Sequence, residues 1–261
     1  MNLLSFGKKQ ITETVQNFLR QFDYEIHQLP RKKGLPPQKR PVGDMTCFLQ
    51  DLAARGFKPR SILDVGANKG DWSRMAAAVF PHASFLLIEP QREMQVHLEE
   101  FCRNYPQARC VEAGAGAAPG ELTLTIWDDL QGSSFLPEEN SPLVAGKKRR
   151  AVKIVTIDSL YPDKTALPDL VKLDIQGFEL EALQGAQTLF GSVELFILEV
   201  SLFEFAPRTP LVAEAVGFMA QRGYEVYDLP GLVRRPSDGA LGQIDIAFAR
   251  RGGPLRASCA W

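Results

Sequence analysis

ILDVGANKGDWS, residues 62–73, runs from an apolar strand through a glycine-bearing turn into the mouth of a helix. Gly66 and Gly70 stand four positions apart, Asp64 marks the strand tip and Asp71 opens the helix. Small residues between a strand and a helix let a ligand approach the backbone at the helix N-terminus, the general arrangement of nucleotide sites in α/β sheets. The dinucleotide fingerprint G-x-G-x-x-G fails here, because Asn68 and Asp71 occupy its second and third glycine positions. Two acids would also oppose a pyrophosphate, and Lys69 only partly offsets them. The turn therefore suits a cationic nucleoside ligand. S-adenosylmethionine, with a nucleoside, an ammonium group and a sulfonium but no phosphate, meets that requirement.

Outward from this stretch, strand and helix alternate. SILDVG (61–66) reads as a first strand, with a helix from about Asp71 to Phe80. SFLLIEP (84–90) is a second strand, followed by a helix through MQVHLEEFC (94–102), and ARCVEAG (108–114) is a third. Apolar runs separated by amphipathic helices indicate a parallel sheet covered on both faces. ELTLTIWDD (121–129) and RAVKIVTID (150–158) instead alternate with period two around a polar stretch. They read as an antiparallel insertion or edge pair, about 115–158, carrying a mobile loop. DLVKLDIQG (169–177) resumes the buried type, with a helix from about Glu179 to Leu189. VELFILEV (193–200) follows, then a helix near 210–222 and strands YEVYDL (224–229) and QIDIAFAR (243–250). Residues 251–261 read as a loosely packed tail.

Ahead of this region, Ile11, Val15, Phe18, Leu19, Phe22 and Ile26 recur at helical spacing, so an amphipathic helix over 8–26 is expected, either lying on the main body or forming a homodimer contact. LPRKKGLPPQKRPVG (29–43) reads as a basic, proline-rich linker, and a short helix is expected near 44–56. The extension thus covers 1–59 and the main domain 60–250. With 261 residues, 45% of them hydrophobic, one large α/β unit is the default. A net charge of −1 gives no global attraction to a polyanion. Four cysteines without metal-ligand spacing read as reduced thiols of a cytoplasmic protein. The apolar start MNLLSF is broken by Gly7, Lys8 and Lys9 before a signal-peptide core forms, and no apolar run reaches the ~20 residues of a membrane span.

A nucleoside ligand needs an acceptor for its ribose hydroxyls about 20 residues past the glycine turn, at the end of the second strand. Glu89, in LLIEP, stands there. The turn, this strand end, VKLDIQGFELEALQGA (171–186) and QIDIAFAR together resemble the FkbM family of S-adenosylmethionine-dependent methyltransferases. The resemblance implies a three-layer, Rossmann-like class I methyltransferase fold, with a mostly parallel seven-stranded sheet ending in an antiparallel hairpin. It also implies O-methylation of a sugar, glycan or secondary metabolite. The cofactor positions are then Asp64, Gly66, Asn68, Gly70, Asp71 and Trp72 from the turn, Glu89 and Pro90 from the second strand, and Gly114 after the third.

For the chemistry, Asp174 emerges at the carboxyl end of its strand, where open sheets place ligands. Methyl transfer to an alcohol needs a group to take the proton, and Asp174 is the first candidate, with Glu199 second; either can instead orient the substrate. Gln176, Ser134 of the insertion and Glu179 are the candidate substrate contacts. Glu179 serves equally well as an acid stabilising the start of its helix. Asp245 is expected to make an inward structural hydrogen bond. Trp72, Trp127, Phe135, Phe178 and Phe203 supply either core or apolar walls. No ligand spacing calls for a metal. Two other functions stand beside this one: nucleic-acid methylation, motivated by Lys147, Lys148, Arg149 and Arg150 but lacking an N-P-P-Y or P-C motif, and a cofactor-binding interaction module without turnover.

Overall fold

The computed structural model describes residues 41–128, 130–136, 144–164, 166–258 and 260. The helix expected over 8–26, its dimer contact and most of the linker lie outside them. A helix α1 (Met45–Ala54), capped by the Asp44 carboxylate accepting from Cys47 N at 2.8 Å, precedes the sheet.

Seven strands build the central sheet. They are β1 (Ser61–Val65), β2 (Ser84–Ile88), β3 (Ala108–Val111), β7 (Leu170–Leu173), β8 (Leu195–Ser201), β9 (Tyr224–Arg234) and β10 (Leu241–Arg250), in the spatial order β3-β2-β1-β7-β8-β10-β9. The first five run parallel and β10 is antiparallel to both its neighbours. This is the expected α/β sheet with its antiparallel hairpin. The alternating insertion forms a separate sheet of β4 (Gly114–Ala115), β5 (Gly120–Ile126) and β6 (Lys148–Val155), with its own small core of Leu124, Ile126, Val152 and Ile154. Of the two readings left open, insertion rather than edge pair is the outcome.

Period-two alternation divides the main core in two. Leu63, Val65, Val171, Leu173, Phe196 and Leu198 face α4 (Glu179–Gln184) and α5 (Val212–Gln221). Ile62, Phe85, Leu87, Leu170, Leu195 and Ile197 face α1, α2 (Asp71–Val79) and α3 (Arg92–Asn104). Because residues two apart share a face, the second set also fixes the direction of Asp64, Lys172, Glu199 and Asp245.

Two expectations are corrected. The helix expected to reach Leu189 stops at Gln184, and a 3-10 turn over Gln187–Leu189 follows. The Asp158 carboxylate accepts from Gln187 N at 2.9 Å and Thr188 N at 3.0 Å, capping the new turn, and a side chain at Gly185 would strike the Gly116 carbonyl. The tail is docked rather than loose over its described residues. Glu225 pairs with Arg251 at 3.0 Å and Arg256 at 2.6 Å, while Leu255 N donates to Glu194 at 2.9 Å.

Candidate functional site

At the carboxyl ends of β1 and β2 the turn is tied down by main-chain bonds. Gly66 N and Ala67 N both donate to the Ile88 carbonyl, at 2.9 and 3.1 Å. Gly66 has φ +81, and a Cβ there would overlap the Asp174 carbonyl oxygen, so the glycine lets β1 and β7 end against each other. Asn68 is left-handed, φ 47, and its N–H donates to Glu89 Oε2 at 2.8 Å. Gln91 N donates to Glu89 Oε1 at 3.0 Å. Glu89 thus clamps the turn while keeping an acceptor lone pair on each oxygen. Burial pushes its pKa above the ordinary carboxylate value, against the pull of those N–H groups.

A second layer is electrostatic. Lys172, 5% exposed, lies in register with Asp64 on β1, and its Nζ pairs with Asp174 Oδ2 at 2.7 Å. Glu199 and Asp245 lie opposite each other across β8 and β10. Burial works against the Lys172 charge, but Asp174, Asp64 and Asp245 outweigh it and raise the ammonium's pKa. Burial likewise opposes ionisation of Asp174, yet Lys172, Glu199 and Gln176 hold its carboxyl below the usual range. Glu199 moves the other way, pushed up to about 10 by burial and by the Asp174 and Glu179 charges. At neutral pH Asp174 is the carboxylate of this pair and Glu199 the acid. Asp245 makes its contribution through charge toward Lys172; burial raises it to about 6.

The loop after β7 is a clamp built from one side chain. Glu179 Oε1 accepts from Ile175 N at 2.8 Å and Gly177 N at 3.3 Å, holding Gln176 and Gly177 at φ 54 and 91. Gln176 Nε2 consequently reaches Asp174 Oδ1 at 3.1 Å and Glu199 Oε2 at 2.7 Å. Ser134 fastens the insertion to this loop: its Oγ donates to the Gln176 carbonyl at 2.7 Å and accepts from Leu136 N at 3.0 Å. Phe135 packs on Phe178, with ring centroids 5.2 Å apart. Ser134→Ala is expected to cost about 1–3 kcal/mol by leaving these groups unpaired. Urea unfolding should show the loss, with faster proteolysis in the insertion.

These elements enclose a cleft of about 290 Å³. From the turn, Gly66, Asn68, Asp71 and Trp72 line it, and Glu89, Pro90 and Gly114 line it from β2 and beyond β3. Asp174, Gln176 and Glu199 form the opposite wall. Four of the expected residues lie elsewhere. Gly70, φ +79, ends the turn as the residue before α2. Asp64, 1% exposed, sits beneath the turn, where Ser73 Oγ donates to Oδ2 at 2.6 Å and Oδ1 has no hydrogen-bond partner among the described residues. Ser134 and Glu179 are buried and engaged as described, so neither faces the cleft as a substrate contact; Ser133 does. Lys172 and Gln91 also line it without having been anticipated. Lys172 was within reach of period-two reasoning, since it stands two residues before Asp174. Of the aromatics, Trp72 and Phe135 are walls and Phe178 packs behind them; Trp127 lies under Lys147, 5.1 Å from its ring centroid.

The crowding of acids sets a pH dependence. Burial raises Asp64 and Asp245 to about 6, Glu179 to about 7 and Glu199 to about 10. Each holds a proton in the folded protein that the unfolded chain has released, so stability is full at low pH and declines as pH rises through these values. Asp174, shifted downward, is ionised in both states above pH 5 and does not oppose this. The midpoint of urea unfolding is expected to be higher at pH 5.5 than at pH 8; the reverse order would contradict these assignments.

The chain is 30% identical over 156 residues to methyltransferase sdnD of Sordaria araneosa, matching 48% of this chain and 59% of that protein. It therefore spans less than two thirds of that relative's length. A crystal structure of an FkbM methyltransferase from Methylobacillus flagellatus aligns with 72% of this chain and 43% of its own, at 18% identity and a TM-score of 0.48. Fibrillarin from Aeropyrum pernix, solved with bound S-adenosyl-L-methionine, aligns with 72% and 66% at 11% identity and a TM-score of 0.44. The family model described as the methyltransferase FkbM domain matches residues 64–226, from Asp64 in β1 to the beginning of β9. That match covers more than half of the sequence, and the chain belongs to the FkbM methyltransferase family.

Proposed function

We propose that this chain is an S-adenosylmethionine-dependent O-methyltransferase whose acceptor is a hydroxyl on a small molecule or glycan. One observation carries the reading: a single cleft joins a side-chain-free turn at Gly66, a buried Glu89 that accepts from the turn's Asn68 N, and the Asp174 carboxyl, paired with Lys172 and linked through Gln176 to Glu199. The donor set fits the group. Asp71, Glu89 and Asp174 give the cleft an acidic lining that favours a cation, with Lys69 and Lys172 as the opposing charges. Trp72, at the same wall, has a buried Nε1 donor with no hydrogen-bond partner among the described residues.

When bound, S-adenosylmethionine supplies an electrophilic methyl group on a positively charged sulfur. The chain's own contribution is binding, orientation and proton handling. Glu89 would hold the ribose hydroxyls, and the turn from Gly66 to Asp71 would receive the amino-acid end through its N–H groups. Asp174 Oδ2 is engaged by Lys172, so Oδ1 is the atom that takes the acceptor proton as Gln176 gives way. Glu199, protonated, keeps a second negative charge away from Asp174. Positioning of this kind supplies ~7–11 kcal/mol in favourable systems.

A nucleic-acid acceptor is no part of this reading, because Lys147 pairs with Asp128 at 2.9 Å and Arg150 with Glu93 at 2.6 Å. Calorimetric titration with S-adenosylmethionine and S-adenosylhomocysteine tests the proposal. Saturable binding is expected, weakened on the order of ten- to a hundredfold by Glu89→Ala, the loss of hydrogen bonds to a charged group. Absence of binding to folded wild-type protein would overturn it.

A further inference from the structure

Beyond Gln176 lies a second cavity of about 400 Å³. Its walls come from the segment after β8, with Ser201, Phe203 and Phe205, and from the β9–β10 hairpin, with Val233, Pro236 and Gln243. Gln176 lines both cavities. Gln243 Nε2 donates to Glu199 Oε2 at 2.9 Å and approaches Gln176 Oε1 at 3.5 Å. Two glutamine amides therefore form the partition between this cavity and the Asp174–Glu199 pair.

The second cavity differs in character from the first. Phe203 is 44% exposed, Phe205 43% and Val233 48%, three large apolar side chains converging on one opening. Its charged residues are engaged within the protein: Arg235 lies 4.3 Å from the Phe203 ring centroid and pairs with Asp238 at 3.3 Å, Arg234 donates to the Gly239 carbonyl at 2.9 Å, and Glu204 accepts from Arg208 N at 2.9 Å. Phe205 also packs close to Gly177, linking this wall to the loop that carries Asp174. A polyhydroxylated ligand would lose hydrogen bonds to water here and regain few, whereas a ring system would bury apolar surface on both sides.

Resting on the methyl-transfer reading of the first cleft, we infer that this second cavity receives the apolar body of the acceptor. The acceptor class is a hydroxyl-bearing aromatic or alicyclic ring compound rather than a free sugar. The Gln176–Gln243 partition is where its hydroxyl passes to Asp174.

The test uses the full chain saturated with S-adenosylhomocysteine and two probes, 2-naphthol and methyl α-D-glucopyranoside, titrated by ligand-observed NMR. 2-Naphthol is expected to bind, the glucoside to bind far more weakly, and Phe203→Ala together with Val233→Asp to weaken 2-naphthol at least about tenfold. S-adenosylhomocysteine affinity should stay unchanged in that variant. Lack of 2-naphthol binding, equal binding by variant and wild type, or preference for the glucoside would overturn the inference. The S-adenosylhomocysteine titration is read separately: its failure removes the methyl-transfer reading, while the probe results alone judge the cavity.

Discussion

Lys172→Met is expected to destabilise the protein by about 3–5 kcal/mol, the cost of leaving buried charge without its partner. Methionine keeps the stem of the side chain and its packing near Trp72, whose ring centroid lies 5.9 Å from the ammonium, so the effect isolates the charge. What remains is Asp64, Asp174 and Asp245, three acids left without the cation whose charge each of them faces. Those carboxyls would relieve their repulsion by taking up protons. The loss should therefore be smaller at pH 5 than at pH 8, and the double variant with Asp174→Asn should recover part of it. Urea unfolding of the three proteins at both pH values measures this; a midpoint indifferent to the substitution would mean that Lys172 is not the keystone of the cluster.

The second large effect is on turnover. Asp174→Asn is expected to lower it by about 10²–10⁴, the range for a positioned general base, with affinity for S-adenosylhomocysteine kept. Glu199→Gln should be far milder, because a glutamine amide imitates the neutral carboxylic acid that burial and Asp174 impose at this position. The contrast separates a base from a residue that merely shapes the wall. Release of S-adenosylhomocysteine at saturating acceptor gives the readout. Equal losses in the two variants would deny Asp174 its special role.

Much of the scaffold was written locally. Apolar runs of five to seven residues mark β1, β2 and β8 within a residue or two of their observed ends, because burial on both faces keeps them mostly apolar, with Asp64 and Glu199 as the interruptions near their carboxyl ends. Gly66, Asn68 and Glu89 were legible because one short turn and one strand end carry them. Lys172, Glu199 and Asp245 form a group only once β7, β8 and β10 are ordered side by side, information held in pairing and not in any window of sequence. Ser134 and Glu179 misled for a related reason: a hydroxyl or carboxylate on a loop beside a site suits a ligand and suits the backbone equally, and here the backbone N–H and C=O groups took them. The break after Gln184 depended on Asp158, 29 residues distant from Gln187.

The placement of β10 between β8 and β9 has a consequence for synthesis. A growing chain that has made everything through residue 240 has β8 with one ladder still open and β9 with no neighbour in the sheet. Residues 241–250 must then insert between them, bringing Gln243 to the wall of the second cavity and Asp245 opposite Glu199. Until that moment the nascent protein displays an apolar strand edge, the form in which a chain pairs with other chains or engages chaperones. The Gln243 amide of the partition and the closure of that edge thus arrive together, with the same ten residues.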